Sequence, residues 1–566
     1  MSGPIECLSI NLRFTDEGDT PSLEECPFAV RGPHQVARCL NDHQELDIFQ
    51  GGIVMKAIMK CLVVALLVLP KLGEAQFPSN PYNGLLYWDS YWYQQHLDAP
   101  MNEAVWKANA DWVARDLAGS GYRMVATDGW IEKSTVLNQN GYVTKHNDDW
   151  DMGWSGMATY LAAERNAAGE STPLQLGIYY NPWWISPTAV QNPSAYKVIG
   201  TNYTVASLTD TTYSGTGGPG DRFNGNLYWL QAEKPGAEQF VKGYVDYFAS
   251  QGAKYLRIDF VSTYECGCNQ GRMVGKPHEK YYADVLRWTY EEAVKDGIFL
   301  SIVMPNLWMK DGSFTPGDPL EAYNERMYGH SIRVNEDAWT DDWTGYFSGI
   351  NKGQRKTYWS QFSNAIDGLV YWSRYSGKGK IILDADFRQL ANSTNDERMT
   401  KITYMIMSGS PIAVTDSVDA HGIPPDGLTS SLPYYTNPEL VGPSGLRAEG
   451  FVGYPLIDYQ NPGSATVYAD PTVPAQAISN QIWVGKASNG DLIVALFNRN
   501  DVAEVRSVQF RADLGLPSGD FLVHDMWTHK DLGSMSSYSV SVNAHGVKLL
   551  RISTHASAQS ARVPSR

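Results

Sequence analysis

From about residue 80 to residue 418, short apolar runs alternate with amphipathic stretches in eight successive rounds, and that repetition leaves few folds open to the chain. Strands are expected at Leu85–Tyr91, Arg123–Gly129, Gln175–Pro182, Lys254–Phe260, Phe299–Pro305, Ser331–Asp337, Asp367–Ser373 and Ser410–Val418. Between them apolar residues recur every three or four positions, as in Met101–Ala118, Trp154–Asn166, Gly236–Gln251 and Glu279–Asp296, which is helical spacing. Parallel strands need such crossovers, and eight units in one run predict a closed (β/α)8 TIM barrel over 76–419 rather than an open sheet.

Beyond Val418 the pattern changes. Gly, Pro, Ser and Tyr crowd residues 420–480, and short alternating strands follow at Gln481–Lys486, Asp491–Asn498, Val505–Phe510, Phe521–Asp525, Ser537–Val542 and Gly546–Ile552. Turn signals such as Asn489-Gly490 separate them, so an antiparallel β-sandwich domain is expected over 420–555, with 556–566 as a tail.

The amino-terminal region reads differently again. Lys56 and Lys60 flank the start of an apolar run, Cys61–Pro70, that is too short to span a bilayer, and Gly73 and Ala75 offer small residues for cleavage. Residues 55–75 therefore read as a secretory signal, and 1–54, without helix or strand periodicity, as an unstructured or non-native extension. A secreted, extracellular mature chain beginning near Gln76, with no membrane segment, is the expectation. Four of the six cysteines precede that point. Cys266-Gly-Cys268 stays, open either to a tight disulfide or to free thiols, and with no His or Cys cluster to complete a ligand set, no metal or cofactor is expected. Asn202-Tyr-Thr and Asn392-Ser-Thr are sequons suited to surface loops. Nothing in the sequence fixes an oligomeric state.

A net charge of −16 excludes a phosphate-backbone partner, because nucleic acid binding needs a basic surface. The 18 Trp and 33 Tyr, many at strand ends, suit an uncharged oligo- or polysaccharide, whose rings stack on aromatic faces. In a barrel of this kind the site forms where the strands end, and strands here end at Asp128, Asp259, Asp337 and Asp416. Any one of them is ordinarily a cap or a satisfied polar group. Two convergent carboxylates without a metal cluster point instead to acetal hydrolysis, one as nucleophile and one as acid and then base. Glu336 rivals Asp337 for the second role, since neighbouring strand residues face opposite ways.

The segment Lys254-Tyr-Leu-Arg-Ile-Asp259 resembles the nucleophile motif of glycoside hydrolase family 27, the α-galactosidases and their relatives. Arg333-Val-Asn-Glu-Asp337, followed by Trp343, is similar to that family's acid/base segment. Trp88-Asp-Ser resembles its opening Trp-Asn-Ser, Thr127-Asp-Gly-Trp130 its Asp-Asp-x-Trp, Leu176-Gly-Ile-Tyr179 its third strand, and Ser410-Pro-Ile its Ala-Pro-Leu. Trp483-Val-Gly and Asn543–Arg551 resemble its closing sandwich. The resemblance implies a retaining α-glycosidase with Asp259 as nucleophile and Asp337 as acid/base. It implies substrate contacts from Asp128, Arg257, Arg333 and Thr127, Asp128 being otherwise a cap of the following turn and Arg333 a structural salt-bridge partner. Trp88, Tyr91, Trp130, Tyr179, Trp183 and Trp184 are candidates for the sugar platform or for core packing.

Three departures bear on the sugar. Thr127 stands where the family has an Asp that holds O4 and O6 of galactose, Arg257 stands for a Lys, and Val303-Met-Pro-Asn306 replaces a Cys-Glu-Trp. An α-galactosidase is the leading expectation; a β-L-arabinopyranosidase, an isomaltose-releasing dextran hydrolase or a non-catalytic carbohydrate-binding barrel are the alternatives.

Overall fold

The structure, a computed structural model, describes residues 83–91, 101–128, 134–209, 220–221, 225–261, 264, 279–303, 326–334, 361–377, 380–391, 393–424, 428–460 and 481–554. The chain divides into two units, Met1–Ala75 and Gln76–Arg566, the first wholly outside these residues. Asp337, Glu336, Trp130, Cys266, Cys268, Trp343, Asn306 and Asn392 also lie outside them. No helix among the described residues is long and apolar enough to cross a membrane.

Parallel strands β1 (Leu86–Asp89), β2 (Met124–Ala126), β3 (Gln175–Tyr179), β4 (Ala253–Ile258), β5 (Phe299–Ile302), β6 (Ser331–Arg333), β7 (Ile382–Asp384), β8 (Phe387–Arg388) and β9 (Ile412–Val414) form one sheet in the order β7-β6-β5-β4-β3-β2-β1-β9-β8. The two ends of that order are one strand. β7 pairs with β6 and β8 with β9, and only Ala385 and Asp386 separate β7 from β8, with Asp386 at φ 71. The sheet therefore closes into the expected eight-stave TIM barrel.

Strand alternation sorts the side chains. Tyr87, Met124, Ala126, Tyr255, Phe299, Ile382, Phe387 and Ala413 form one buried cluster on the inner face. Their neighbours Trp88, Val125, Leu176, Leu256, Leu300, Ile332, Leu383, Ile412 and Val414 belong to the larger core beneath the helices. Helices α1 (Glu103–Trp112), α2 (Trp154–Ala162), α3 (Ala237–Ser250) and α4 (Glu279–Asp296) fall where apolar spacing places them.

The seventh strand does not. Asp367–Ser373, expected as a strand, lies almost wholly in helix α5 (Gln361–Trp372), and the strand is Ile382–Asp384. Ala365, Ile366, Leu369 and Val370 are all buried, which is a helical stripe rather than a two-residue alternation. Gly368 lets this helix meet the end of β6: a Cβ there would lie 1.9 Å from the Val334 carbonyl oxygen.

Helix α6 (Asn395–Ser408) starts in a capping box between Thr394 and Glu397 and stops at Gly409, φ 73. Past the short helix α7 (Leu428–Tyr435) come β10 (Gly453–Pro455), β11 (Ile482–Lys486), β12 (Leu492–Phe497), β13 (Glu504–Gln509), β14 (Phe521–Asp525), β15 (Lys530–Met535), β16 (Ser537–Val542) and β17 (Val547–Ile552). They make a six-stranded sheet, β10-β11-β12-β17-β14-β15, and a two-stranded one, β13-β16, as expected for a sandwich. Ile482, Val484, Leu492, Val494, Leu496, Val508, Phe510 and Leu550 form the core between them. The other face of the larger sheet joins the barrel core: Phe497 stacks on Tyr404 of α6 at 3.6 Å, and Trp483 meets the same ring edge-on at 5.8 Å. At the rim of this seam His545 Nδ1 lies 3.0 Å from Glu397 Oε1 and its Nε2 2.8 Å from Asp501 Oδ1.

Candidate active site

Arg257 and Asp259 are two positions apart at the end of β4, so both side chains face the barrel axis, the first deeper than the second. Arg257 is 1% exposed and is held on three sides. Its Nε lies 2.8 Å from Asp128 Oδ2, its Nη1 3.1 Å from Asp384 Oδ2, and its Nη2 2.8 Å from Asp386 Oδ1. Nη1 also donates to the Tyr87 hydroxyl at 3.4 Å. Arg333, at the end of β6, lies 3.5 Å from the other oxygen of Asp386. Four different strands and the break in the seventh stave thus place charge in one enclosed floor.

Burial alone would lower the Arg257 pKa, but Asp128 and its other partners hold the guanidinium protonated. Burial raises the Asp384 pKa against the pull of Arg257. Asp89, wholly buried at the end of β1, accepts the Tyr91 amide on Oδ1 at 3.0 Å, while its Oδ2 has no hydrogen-bond partner among the described residues. Burial first, and then the charge of Asp128, push its pKa well up, which favours the neutral acid. Acids crowd this floor, and the Arg257 and Arg333 guanidinium groups engage the oxygens of Asp128, Asp384 and Asp386.

Above the floor stands Asp259, half-buried at the strand end. Its Oδ2 accepts the Tyr179 hydroxyl at 2.8 Å and its Oδ1 the Phe260 amide at 2.6 Å. Asn181 Nδ2 donates to its carbonyl at 2.9 Å. Phe260 takes φ 60, so the chain turns away at once and leaves the carboxylate at the mouth. Burial, and then the neighbouring Asp259 charge, raise the Tyr179 pKa, keeping its phenol a donor.

The other sequence candidates take varied places. Thr127 is fully buried, and its Oγ1 accepts the Tyr179 amide at 3.0 Å, tying β2 to the end of β3. Tyr91 packs its ring against Phe387 at 4.0 Å. Trp88 is on the opposite face of β1 from Tyr87 and Asp89, wholly enclosed, with its indole donating to the Asp416 carbonyl. Trp183 is likewise enclosed and donates to Thr289. Asp416 accepts from the Leu390 amide, the Ala391 amide and the Tyr435 hydroxyl, so it pins the loop after β8.

Sequence reasoning missed Tyr87, Asp89, Asn181, Asp384 and Asp386. Asp384-Ala-Asp386 does carry a signal, a pair of acids closing an apolar run, but with the seventh strand placed too early it fell in a connection.

Residues 479–552 match the family described as the alpha galactosidase C-terminal beta sandwich domain. The isomalto-dextranase of Arthrobacter globiformis is 36% identical over 479 residues, which span 83% of this chain and 67% of that one. The solved structure of A. globiformis T6 isomalto-dextranase complexed with panose superposes with TM-score 0.66 and 33% identity, over 84% of this chain and 74% of that one. A GH27 β-L-arabinopyranosidase from Geobacillus stearothermophilus, in complex with arabinose, shares the fold at TM-score 0.58 and 17% identity, over 84% and 98% of the two chains. α-Galactosidase I from Mortierella vinacea does so at 0.53 and 16%, over 83% and 96%.

Proposed function

This chain belongs to glycoside hydrolase family 27 and is a glycoside hydrolase, and from that premise we propose that it releases isomaltosyl units from an α-1,6-glucan of the dextran type, with retention at the anomeric carbon. The observation that carries this reading is the likeness to isomalto-dextranase, 36% over 83% of the chain, against 16–17% for the galactoside- and arabinoside-named structures.

The end of β2 supports it on chemical grounds. In an α-1,6-glucan the sugar at the cleavage point has its own O6 glycosylated, so that oxygen has no proton to donate. A carboxylate waiting there would lose the O6 donor and keep at most the O4 hydroxyl, leaving one desolvated oxygen unpaired at a cost of about 1–3 kcal/mol. Thr127 is uncharged and its hydroxyl already serves the Tyr179 amide. A galactoside, whose free O4 and O6 hydroxyls would use such a carboxylate, gains nothing from the exchange.

In the proposed reaction Asp259 attacks the anomeric carbon while Asp337, outside the described residues, protonates the departing oxygen. A covalent glycosyl-enzyme forms, and water, deprotonated by the same Asp337, displaces Asp259 from it. Tyr179 holds Asp259 Oδ2, leaving its attacking geometry narrow. Arg257 and Arg333 act on the sugar through the acids they orient. A polymer is degraded outside the cell, which fits 55–75 as a secretory signal and a mature chain from Gln76.

The test compares initial rates on dextran, an aryl α-galactoside and an aryl β-L-arabinopyranoside, with products followed by proton NMR. Isomaltose appearing first as the α-anomer, with dextran preferred by about tenfold or more, is the expected result. Preference for the galactoside would restore the α-galactosidase reading. First appearance of the β-anomer would overturn the double displacement.

A further inference from the structure

Glu439 follows α7 by four residues, His524 lies within β14, and His529 sits in the turn between β14 and β15. The fold brings their donor atoms within 4.8 Å of one another. Glu439 Oε1 is 3.0 Å from His524 Nε2 and 2.5 Å from His529 Nδ1. Behind His524, Asp531 Oδ1 lies 2.7 Å from the other ring nitrogen, Nδ1. Beside the cluster opens a hollow of about 600 Å³, lined among others by Glu439, Ser444, His524, Asp531 and Arg551.

We propose that Glu439, His524 and His529 bind a divalent transition cation of the zinc class, with a water from the hollow in the fourth position. Two imidazoles and one carboxylate are a donor set that such cations take, and a three-residue set with an open fourth position is a recognised form of site. The carboxylate of Asp531 on Nδ1 fixes the ring so that Nε2 faces the centre, which is how metal-bound histidines are commonly held from behind.

The distances fit a small adjustment. Bonds of about 2.0–2.1 Å in a tetrahedron put the ligand atoms roughly 3.3 Å apart. His524 and Glu439 already stand near that separation. His529 has to withdraw by less than about 1 Å on the same geometry, and it is 47% exposed in a turn, free to do so. Nothing in the proposed glycosidase chemistry uses these residues. They were invisible in the sequence because Glu439 and His524 are 85 residues apart.

The decisive experiment uses the full mature chain without an affinity tag, stripped by chelator. Zn2+ is titrated by equilibrium dialysis, and Co2+ by its visible absorption. One equivalent bound at micromolar concentration or below, with the intense bands of four-coordinate cobalt, is the expected result. His529→Ala, in an exposed turn, and His524→Ala should each weaken binding by about 100-fold or more, and Asp531→Asn by about 10- to 100-fold. Dextran hydrolysis by His529→Ala should match the wild type. Failure to bind at 100-fold excess of Zn2+ overturns the proposal, and so does stoichiometric binding that survives both histidine substitutions, which would move the cation elsewhere on the chain. Activity on dextran is read separately, so a failed specificity assignment does not disturb this result.

Discussion

Asp259 and Asp416 look alike in the sequence, each an acid just past a barrel strand, yet the fold treats them oppositely. Asp416 is 1% exposed and accepts two backbone amides from the loop after β8, which it fastens, and the hydroxyl of Tyr435 at the end of α7. Asp259 stays half-buried at the barrel mouth, orientated by the Tyr179 phenol and by the amide of a residue in a left-handed turn. A carboxylate whose lone pairs are taken by the backbone has little left for a substrate. One that is merely aimed keeps its reactivity. Position at a strand end therefore nominates a group, and what its oxygens already accept decides the role.

Substitutions can break or sharpen this contrast. Asp259→Gly should cut dextran turnover by at least about 10^4-fold with an unchanged melting temperature, and azide should restore part of the activity. Near-normal turnover without azide would place the nucleophile elsewhere. Arg257→Lys tests the opposite pole, because a point charge cannot reach three carboxylates as the guanidinium fork does. A loss of about 3–5 kcal/mol in urea unfolding is expected, and a loss below about 1 kcal/mol would mean the acids are held by other means.

Asp416→Ala should cost about 2–3 kcal/mol of stability while the kcat/KM of the folded fraction changes less than about threefold. Equal damage to activity would erase the distinction between Asp416 and Asp259. Tyr179→Phe removes one charge-assisted hydrogen bond, worth about 1.5–3 kcal/mol, so kcat should fall about 10- to 100-fold with little change in KM. A change confined to KM would make the phenol a sugar contact instead.

The smallest effect is expected at the seam between barrel and sandwich. The His545 hydrogen bond, joined by the Thr394 contacts and opposed by burial, holds the Glu397 carboxyl down at about 2, so its contribution is full above the unfolded value near 4.3 and fades as pH falls through 2. Burial would lower the His545 pKa, but Glu397 and Asp501 raise it above 6.5, so its contribution is full below 6.5 and lost as pH rises through the raised value. The pair should thus be strongest between about 4.5 and 6.5, contributing on the order of 1 kcal/mol. Melting curves of wild type and His545→Gln across pH 3–9 should diverge in that window, and parallel curves would remove the seam contact from the stability of the chain.

Most of the barrel was legible because its strands are apolar runs bounded by turns, as at Lys254–Phe260 and Phe299–Pro305. The seventh was not. Gln361–Trp372 is apolar enough to pass for a strand, whereas the real one, Ile382–Asp384, is three residues long and ends in an acid. That single misplacement hid Asp384 and Asp386, and with them the reason Arg257 is so firmly held. In the sandwich, Lys530–Met535 escaped notice because it is an edge strand whose side chains are largely exposed, so it carries no apolar alternation. Asp259 was nominated by its motif, but its phenolic partner Tyr179 belongs to another strand, a relation that spacing along the chain does not record.

The break in the seventh stave sets how much this part of the gene can vary in length. Because β7 pairs to one side and β8 to the other across Ala385 and Asp386, the two half-strands hold separate registers. Adding or deleting one residue there would reverse the facing of whichever half moved. Asp384 would turn outward toward the helices, or Phe387 would leave the inner face, and in either case the ring would lose a closing contact together with its charge balance. Insertions should be accepted at the mouth loops far more readily than in these seven residues, Ile382–Arg388, where a frame-preserving change of a single codon is already too large.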